Sequence, residues 1–161
     1  MKSTLLILLA LLCPMAYAED DRSHQLESEV METVNLFLHS INTGDVALMA
    51  EISRPDAMNF IRVQADDGSF FTRARPQSYF LQESDDVREV TERIWHPTIM
   101  VDEQVAVVWA HYDFYIEGEF SHCGIDVFNL LNDDGQWKIA NATWTVVRHG
   151  CEPSPLGEIS E

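Results

Sequence analysis

Three stretches in the second half of the chain decide the fold: VAVVWAHYDFYI at residues 105–116, SHCGIDVFNLL at residues 121–131 and WKIANATWTVV at residues 137–147. Each is rich in β-branched and aromatic residues, and short polar segments that contain glycine separate them. We therefore predict three long consecutive strands that are joined by tight turns and pair as antiparallel neighbours.

The strand pairing predicts which side chains share one face of this sheet. A turn at Gly118–Glu119 places His111 opposite Asp126 and Asp113 opposite Gly124. The resulting face combines polar groups with aromatic side chains, namely His96, Trp109, His111, Asp113, His122, Asp126, Phe128 and Trp144. A slip of one residue at either turn would move the side chains of a whole strand to the other face.

The first half of the chain is typical of helices. Apolar residues recur at helical spacing between residues 30 and 41, which predicts a helix over residues 21–43. Gly44 suits the left-handed position that follows a helix end. Asp45 can then cap a short second helix over residues 46–52.

A hairpin and an edge strand follow these helices. Residues 57–64 and 69–75 flank Asp67-Gly68, a pair that favours a tight reversal. Pro97, inside the apolar stretch 87–101, predicts an edge position or a bulge. The order of elements predicts an α+β domain whose helices lie on one side of a strongly bent sheet.

The order of elements and three segments carry a resemblance to a known superfamily. The segments are Asn42–Asp45 at the end of the first helix, His122–Phe128 in a late strand, and Asp134–Ala140, which opens the last strand. Residues 19–150 resemble the nuclear transport factor 2-like superfamily, in particular its SnoaL-like and lumazine-binding-like bacterial branches.

The resemblance implies a cone-shaped barrel, in which N-terminal helices pack on the concave side of a strongly curved antiparallel sheet around a pocket. It also implies frequent dimerisation through the sheet. Members of the superfamily include isomerases, dehydratases, cyclases, epoxide hydrolases and non-catalytic binding modules. The resemblance therefore implies no single activity, because one fold serves many functions.

Three functions stay open at this point. The first is an exported small-molecule-binding domain, with His96, Trp109, Phe128 and Trp144 as ligand contacts. The second is a lyase or isomerase that acts on a small, partly apolar substrate. His111 would be its base, Asp126 would orient that base, and His122 or Asp113 would be a second proton-transfer group. The third is a non-catalytic protein-interaction module.

Neither a metal nor another cofactor is predicted. His96, His111 and His122 lie on three different predicted strands and lack the spacing of metal ligands along one element. The chain has 10 Lys and Arg against 27 Asp and Glu, a formal net charge of −17. Nucleic acid and anionic membranes are thus poor partners, because their binding needs dense positive charge. The expected partners are a small-molecule ligand or substrate and a second copy of the chain.

The N-terminus predicts export. A positively charged start, an apolar run over residues 5–12 and the small-x-small segment Ala16-Tyr17-Ala18 are typical of a signal peptide over residues 1–18. We expect a periplasmic or secreted domain over residues 19–150 and a C-terminal tail over residues 151–161.

Two cysteines, Cys123 and Cys151, follow the predicted cleavage site. Export permits a disulfide. Regular strand pairing from a turn at residues 132–136 places Cys123 opposite Thr145. Cys151 is then roughly 20 Å away unless the tail folds back, whereas a disulfide needs Cα atoms within about 7 Å. The sequence therefore leaves this bridge open.

Overall fold

The computed structural model describes residues 15–82 and 88–159, with side chains from residue 21 onward. Most of the predicted signal peptide lies outside these residues. Three helices occur in the described part of the chain: α1 (Met15–Thr43), α2 (Val46–Ile52) and α3 (Gln77–Phe80).

The junction between α1 and α2 agrees with its prediction. Gly44 has a φ of +67°, which a residue without a side chain adopts at little cost. The side chain of Asp45 accepts a hydrogen bond from the backbone N of Leu48 at 2.9 Å and so caps α2. The two helices therefore follow each other with one sharp reversal.

Six strands form one open sheet in the order β2-β1-β6-β5-β4-β3. Their bounds are β1 (Met58–Gln64), β2 (Phe70–Pro76), β3 (Val90–Val101), β4 (Val105–Ile116), β5 (Glu119–Asp133) and β6 (Gln136–Val146). All neighbours are antiparallel except β1 and β6, which are parallel. The α+β class and the curved sheet under helices are confirmed, with one parallel pair that was not predicted.

The core lies between the sheet and the helices α1 and α2. The ring of Phe37 on α1 meets the ring of Phe128 on β5 edge-on, with centroids 5.7 Å apart. Each fully buried apolar side chain of this size contributes roughly 1.5–3 kcal/mol to folding. The core includes Val30, Val34, Phe37, Leu38, Met49, Ile52, Val108, Phe128, Leu130, Trp137 and Ile139.

The predicted pairing of β4 with β5 is wrong by one residue. The turn consists of Glu117 and Gly118, with φ of +53° and +75°, and a bulge follows at Phe114/Tyr115. His111 consequently pairs with Ile125, and Asp126 pairs with Ala110. Since side chains alternate along a strand, His111 lies on the opposite face from Asp126.

The pairing of β3 with β4 also differs from the prediction. A bulge lies between Trp95 and Thr98, and His96 within it has a φ of +49°. Between this bulge and the turn that joins β3 to β4, Trp109 pairs with Thr98 instead of His96. The strand β3 is an edge strand and contains the bulge, so both alternatives that Pro97 predicted are realised together.

The tail folds back and closes a disulfide between Cys123 and Cys151, whose Cα atoms are 6.0 Å apart. A turn at Asp134-Gly135 and a bulge at Asn129/Leu130 shift the pairing of β5 with β6 by two residues. Cys123 therefore bridges to Val147, only four residues before Cys151, and the chain reverses near Gly150 at a φ of +86°.

Candidate functional site

A cavity of about 450 Å³ lies between the helices and the concave face of the sheet. This volume falls within the range of small-molecule sites, roughly 300–1,000 Å³. Its walls are mainly apolar and include the aromatic side chains of Phe37, Phe80, Phe114, Phe128 and Trp144.

Strand pairing places the polar residues of the cavity in rows across the sheet. Asp126 on β5 pairs with Trp144 on β6, and Trp144 pairs with Ile61 on β1. His122 on β5 pairs with Phe114 on β4. Because paired residues share a face, each of these rows points into the cavity.

Glu92 reaches the cavity from the edge strand β3. Its backbone N donates a hydrogen bond to Oδ1 of Asn42 at 2.7 Å, and its carbonyl accepts one from Nδ2 of Asn42 at 3.0 Å. Asn42 lies in the last turn of α1. These two bonds hold β3 against the end of the helix, and the carboxyl group of Glu92 lies beside that of Asp126.

Glu92 and Asp126 form a buried carboxyl pair. Burial raises the pKa of Glu92 to about 7, although a hydrogen bond from Asp126 opposes this shift. Burial also raises the pKa of Asp126 well above its ordinary value, and the charge of Glu92 adds to that rise. Because both pKa values are raised, the pair keeps a proton at pH values at which ordinary carboxyl groups are ionised.

Tyr112 forms part of the cavity wall next to this pair. Its hydroxyl donates a hydrogen bond to the carbonyl of Thr145 at 2.6 Å. Burial, followed by the charges of Asp126 and Glu92, raises the pKa of Tyr112. The ring needs the space above Gly124, because a Cβ at that position would lie 2.7 Å from Cε1 of Tyr112.

His122 is an uncharged member of the cavity wall. Its ring stacks on Phe114 with centroids 4.8 Å apart, and Nδ1 shares a hydrogen bond of 2.9 Å with the hydroxyl of Ser121. Burial and, to a smaller extent, the charge of Arg148 lower the pKa of His122 to about 4. The imidazole is therefore neutral at physiological pH.

Two arginines, Arg73 and Arg148, also line the cavity. Arg73 lies on β2, where its guanidinium group is 5.0 Å from the centre of the Phe71 ring. Arg148 follows the end of β6, and its Nη1 donates a hydrogen bond to the carbonyl of Gln64 at 3.3 Å. The cavity wall thus includes guanidinium groups as well as carboxyl groups.

Half of the residues predicted for the site line this cavity, namely Asp126, His122, Phe128 and Trp144. Their predicted roles in catalysis or ligand contact stay predictions. The other four predicted residues do not line the cavity, namely His96, Trp109, His111 and Asp113.

Trp109, His111 and Asp113 lie on the convex side of the sheet, and His96 lies in the bulge of β3. His111 is exposed, and its ring stacks on Trp95 with centroids 5.8 Å apart and meets Trp109 edge-on at 4.9 Å. Asp113 is buried beneath Arg93, which donates two hydrogen bonds to it at 2.9 and 2.6 Å. The shifted register explains these positions, so the predicted His111–Asp126 pair does not exist.

Sequence reasoning missed Glu92, Arg73 and Arg148. The sequence did contain a signal for Glu92. Val90, Glu92 and Ile94 occupy every second position of one strand, so Glu92 lies on the same face as two apolar residues. A charged residue on the apolar face of a strand is typical of a functional position. The two arginines had no comparable signal, since only the packing of the sheet edge brings them to the cavity.

The described residues contain no group of three or more His, Cys, Asp or Glu residues that could hold a metal ion. In the same part of the chain, no helix combines the length and apolar character that a membrane span requires.

The fold and the enclosed cavity define a nuclear transport factor 2-like domain. An NTF2-like protein with a cystatin-like fold from Novosphingobium aromaticivorans superposes with a TM-score of 0.64 at 12% identity, covering 88% of this chain and 95% of that one. An NTF2-like superfamily protein from Salmonella enterica gives a TM-score of 0.61 at 16% identity, covering 82% and 99%. Another NTF2-like protein, from Cytophaga hutchinsonii, also gives 0.61 at 14% identity, covering 75% and 98%. At such identities these similarities show the fold alone.

Within that class, the chain belongs to the family described as "Putative lumazine-binding", whose model matches residues 25–145. The match spans the last two thirds of α1 and nearly all of the sheet, including both members of the carboxyl pair. No curated protein matches the chain.

Proposed function

We propose that this protein binds a small, flat, partly apolar molecule in the cavity between α1 and the sheet. The observation that carries the proposal is the cavity itself, about 450 Å³ in volume and lined by the rings of six Phe, Tyr and Trp residues. A well-packed interior leaves few voids larger than a water molecule. A space of this size with apolar walls and a few polar groups is typical of a ligand site.

The family description supports the same function, because it names lumazine, a flat heterocycle with several hydrogen-bonding groups. Trp144 is suited to such a ligand. It is packed against Phe80 with ring centroids 5.8 Å apart and lies across the strands from Asp126. A flat ring could therefore lie against an aromatic wall while its polar edge meets the carboxyl pair.

The test uses two tryptophan variants. Binding of lumazine and of the neutral dye N-phenyl-1-naphthylamine is measured by fluorescence titration. Trp144→Ala removes a wall of the cavity and should weaken binding of at least one probe by tenfold or more. Trp109→Ala removes a tryptophan from the opposite face and should leave both affinities unchanged. Equal effects of the two substitutions, or no binding of either probe, would overturn the proposal.

An acid–base activity, as in a lyase or isomerase, is the second candidate. The Glu92–Asp126 pair favours it, because one ionised and one protonated carboxyl group in contact can accept and deliver a proton. Glu92 takes the place that the sequence assigned to His111. Turnover of a bound ligand should disappear in Glu92→Gln while binding persists. A ligand that stays chemically unchanged during incubation with the protein would eliminate this candidate.

Export to the periplasm or the medium is part of the proposal. The predicted signal peptide motivates it, and the disulfide between Cys123 and Cys151 supports it, because such bonds persist in oxidising compartments. Mass spectrometry of protein from the native host should find an N-terminus at Glu19. A chain that retains residues 1–18 would contradict the prediction.

A homodimer through the convex face also belongs to the proposal. Met100, Val105, Trp109 and Leu131 are exposed large apolar residues on β3, β4 and β5, and strand pairing places them on one face. Such clusters are typical of protein contacts. Met100 is 63% exposed. Met100→Glu should shift the sedimentation coefficient from that of a dimer to that of a monomer. A wild-type protein that sediments as a monomer at all concentrations would refute dimerisation.

A further inference from the structure

We propose that the cavity takes a bipolar ligand, whose protonated amine or amidinium group pairs with Glu92 and Asp126 and whose anionic group meets Arg73 and Arg148. The inference rests on the proposed function, since it specifies the chemical class of ligand for the same cavity.

The first argument is an acidic group that is buried without a cation. Among the described residues two acidic side chains are fully buried, Asp113 and Asp126. Asp113 is paired with Arg93 at 2.6 Å. In contrast, Oδ2 of Asp126 has no hydrogen-bond partner in the described chain, and no ion pair found there includes Asp126 or Glu92.

A buried charge in a folded protein normally has a partner, because desolvation without compensation costs several kcal/mol. Glu92 and Asp126 can share one proton, but the remaining negative charge then has no cationic partner among the described residues. Asp126 is 4% exposed and forms part of the cavity wall, and Glu92 presents the pair to the cavity. A ligand with N–H donors and a positive charge would supply the missing partner.

The second argument is the separation of charges across the cavity. Arg73 on β2 and Asp126 on β5 lie in one row of paired residues, three strands apart. Arg148 and Glu92 lie in another such row, also three strands apart. Three strand spacings correspond to roughly 14 Å along the sheet, before side-chain length and sheet curvature shorten the gap. One aromatic ring with a charged group at each end would span it.

Several titratable groups line the cavity together with the carboxyl pair. Their protonation must be considered when ligand affinity is measured as a function of pH. The cavity residues of this kind are Arg73, Glu92, Tyr112, His122, Asp126 and Arg148. Burial raises the pKa of Tyr112, and burial lowers the pKa of His122 to about 4. Between pH 5.5 and 8, a change in affinity therefore reports on the carboxyl pair.

The test compares four probes that are built on the same benzene ring. Benzylamine carries a cation, benzoate an anion, 4-(aminomethyl)benzoate both charges, and benzyl alcohol none. Dissociation constants come from NMR titration of the full-length mature protein. We expect the zwitterion to bind at least tenfold more tightly than benzyl alcohol, with benzylamine in between. Because the pKa of Glu92 is raised to about 7 by burial, benzylamine affinity should fall up to tenfold per pH unit below neutrality.

Variants that remove one charge each distinguish the contribution of the carboxyl groups from that of the arginines. Glu92→Gln should weaken benzylamine and the zwitterion about tenfold and leave benzoate binding unchanged or stronger. Arg73→Gln should weaken benzoate and the zwitterion and leave benzylamine unchanged. Glu89→Gln and Arg54→Gln alter charges outside the cavity and should change no affinity.

Two results would overturn the inference. Benzyl alcohol could bind as tightly as benzylamine, or Glu92→Gln could affect all four probes equally. Binding of N-phenyl-1-naphthylamine shows that each variant retains its fold and cavity. If the dye binds while the charged probes show no preference, the bipolar ligand is refuted and the proposed binding function stands. If the dye does not bind to the wild-type protein either, the binding function itself fails.

Discussion

Glu92→Gln should change how the stability of this protein depends on pH. The ordinary pKa of a glutamate is 4.5, and burial raises that of Glu92 to about 7 in the folded state. A carboxyl group whose pKa is raised on folding contributes stability that is complete below the unfolded-state pKa. That contribution disappears as the pH rises through the folded-state pKa.

The size of the effect follows from the difference between these two values. One pKa unit corresponds to about 1.4 kcal/mol. Ionised Glu92 should therefore lower the free energy of unfolding by about 3 kcal/mol once the pH exceeds 7. The isosteric glutamine cannot ionise, so Glu92→Gln should match the wild type near pH 4.5 and exceed its stability by about that amount at pH 8.

The assay is urea denaturation, followed by tryptophan fluorescence, at pH values from 4.5 to 8. The informative quantity is the difference in the free energy of unfolding between the two proteins at each pH. His122 is present in both proteins, and its effect on stability has the opposite pH dependence to that of Glu92, so the difference removes it. Its pKa is lowered to about 4 by burial, so its contribution is present above 6.5 and is lost as the pH falls. Glu89→Gln, an exposed position nearby, is the matched control. Parallel profiles for wild type and Glu92→Gln would show that Glu92 is not buried as described.

Two further predictions concern the stability of the structure around the cavity, at Gly124 and at the Cys123–Cys151 disulfide. Gly124→Ala should cost about 3 kcal/mol or more, because its Cβ would lie 2.0 Å from the carbonyl oxygen of Thr145; a urea midpoint within error of the wild type would contradict this contact. Replacing Cys123 and Cys151 by serine should lower the free energy of unfolding by about 3–4 kcal/mol, since the bridge closes a loop over a sequence separation of 28 residues. Two reactive thiols in the unfolded, unreduced mature protein would show that the bridge is absent.

The sequence predicted the elements of this fold more accurately than the face of the sheet to which each residue belongs. The end of α1, the cap of α2 and the β1–β2 hairpin depend on local signals such as Asp45. The site depends on register. The bulge at Phe114/Tyr115 shifts the register by an odd number of residues, and it moves His111 from beside Asp126 to the opposite face. The residues on β5 and β6 kept their face, because the pairing there is shifted by two residues, an even number.

By itself, the sequence determined which segments form helices and strands, since hydrophobic periodicity and turn residues act over a few neighbouring positions. It also determined that Asp126 and Trp144 share a face. Only the tertiary structure decided which side chain from another strand contacts Asp126, namely Glu92. Two hydrogen bonds join the side chain of Asn42 to the backbone of Glu92, 50 residues away in the chain, and hold Glu92 beside Asp126. The pKa of each carboxyl group depends on this contact and on the loss of water around it, and neither is encoded in any local stretch of sequence.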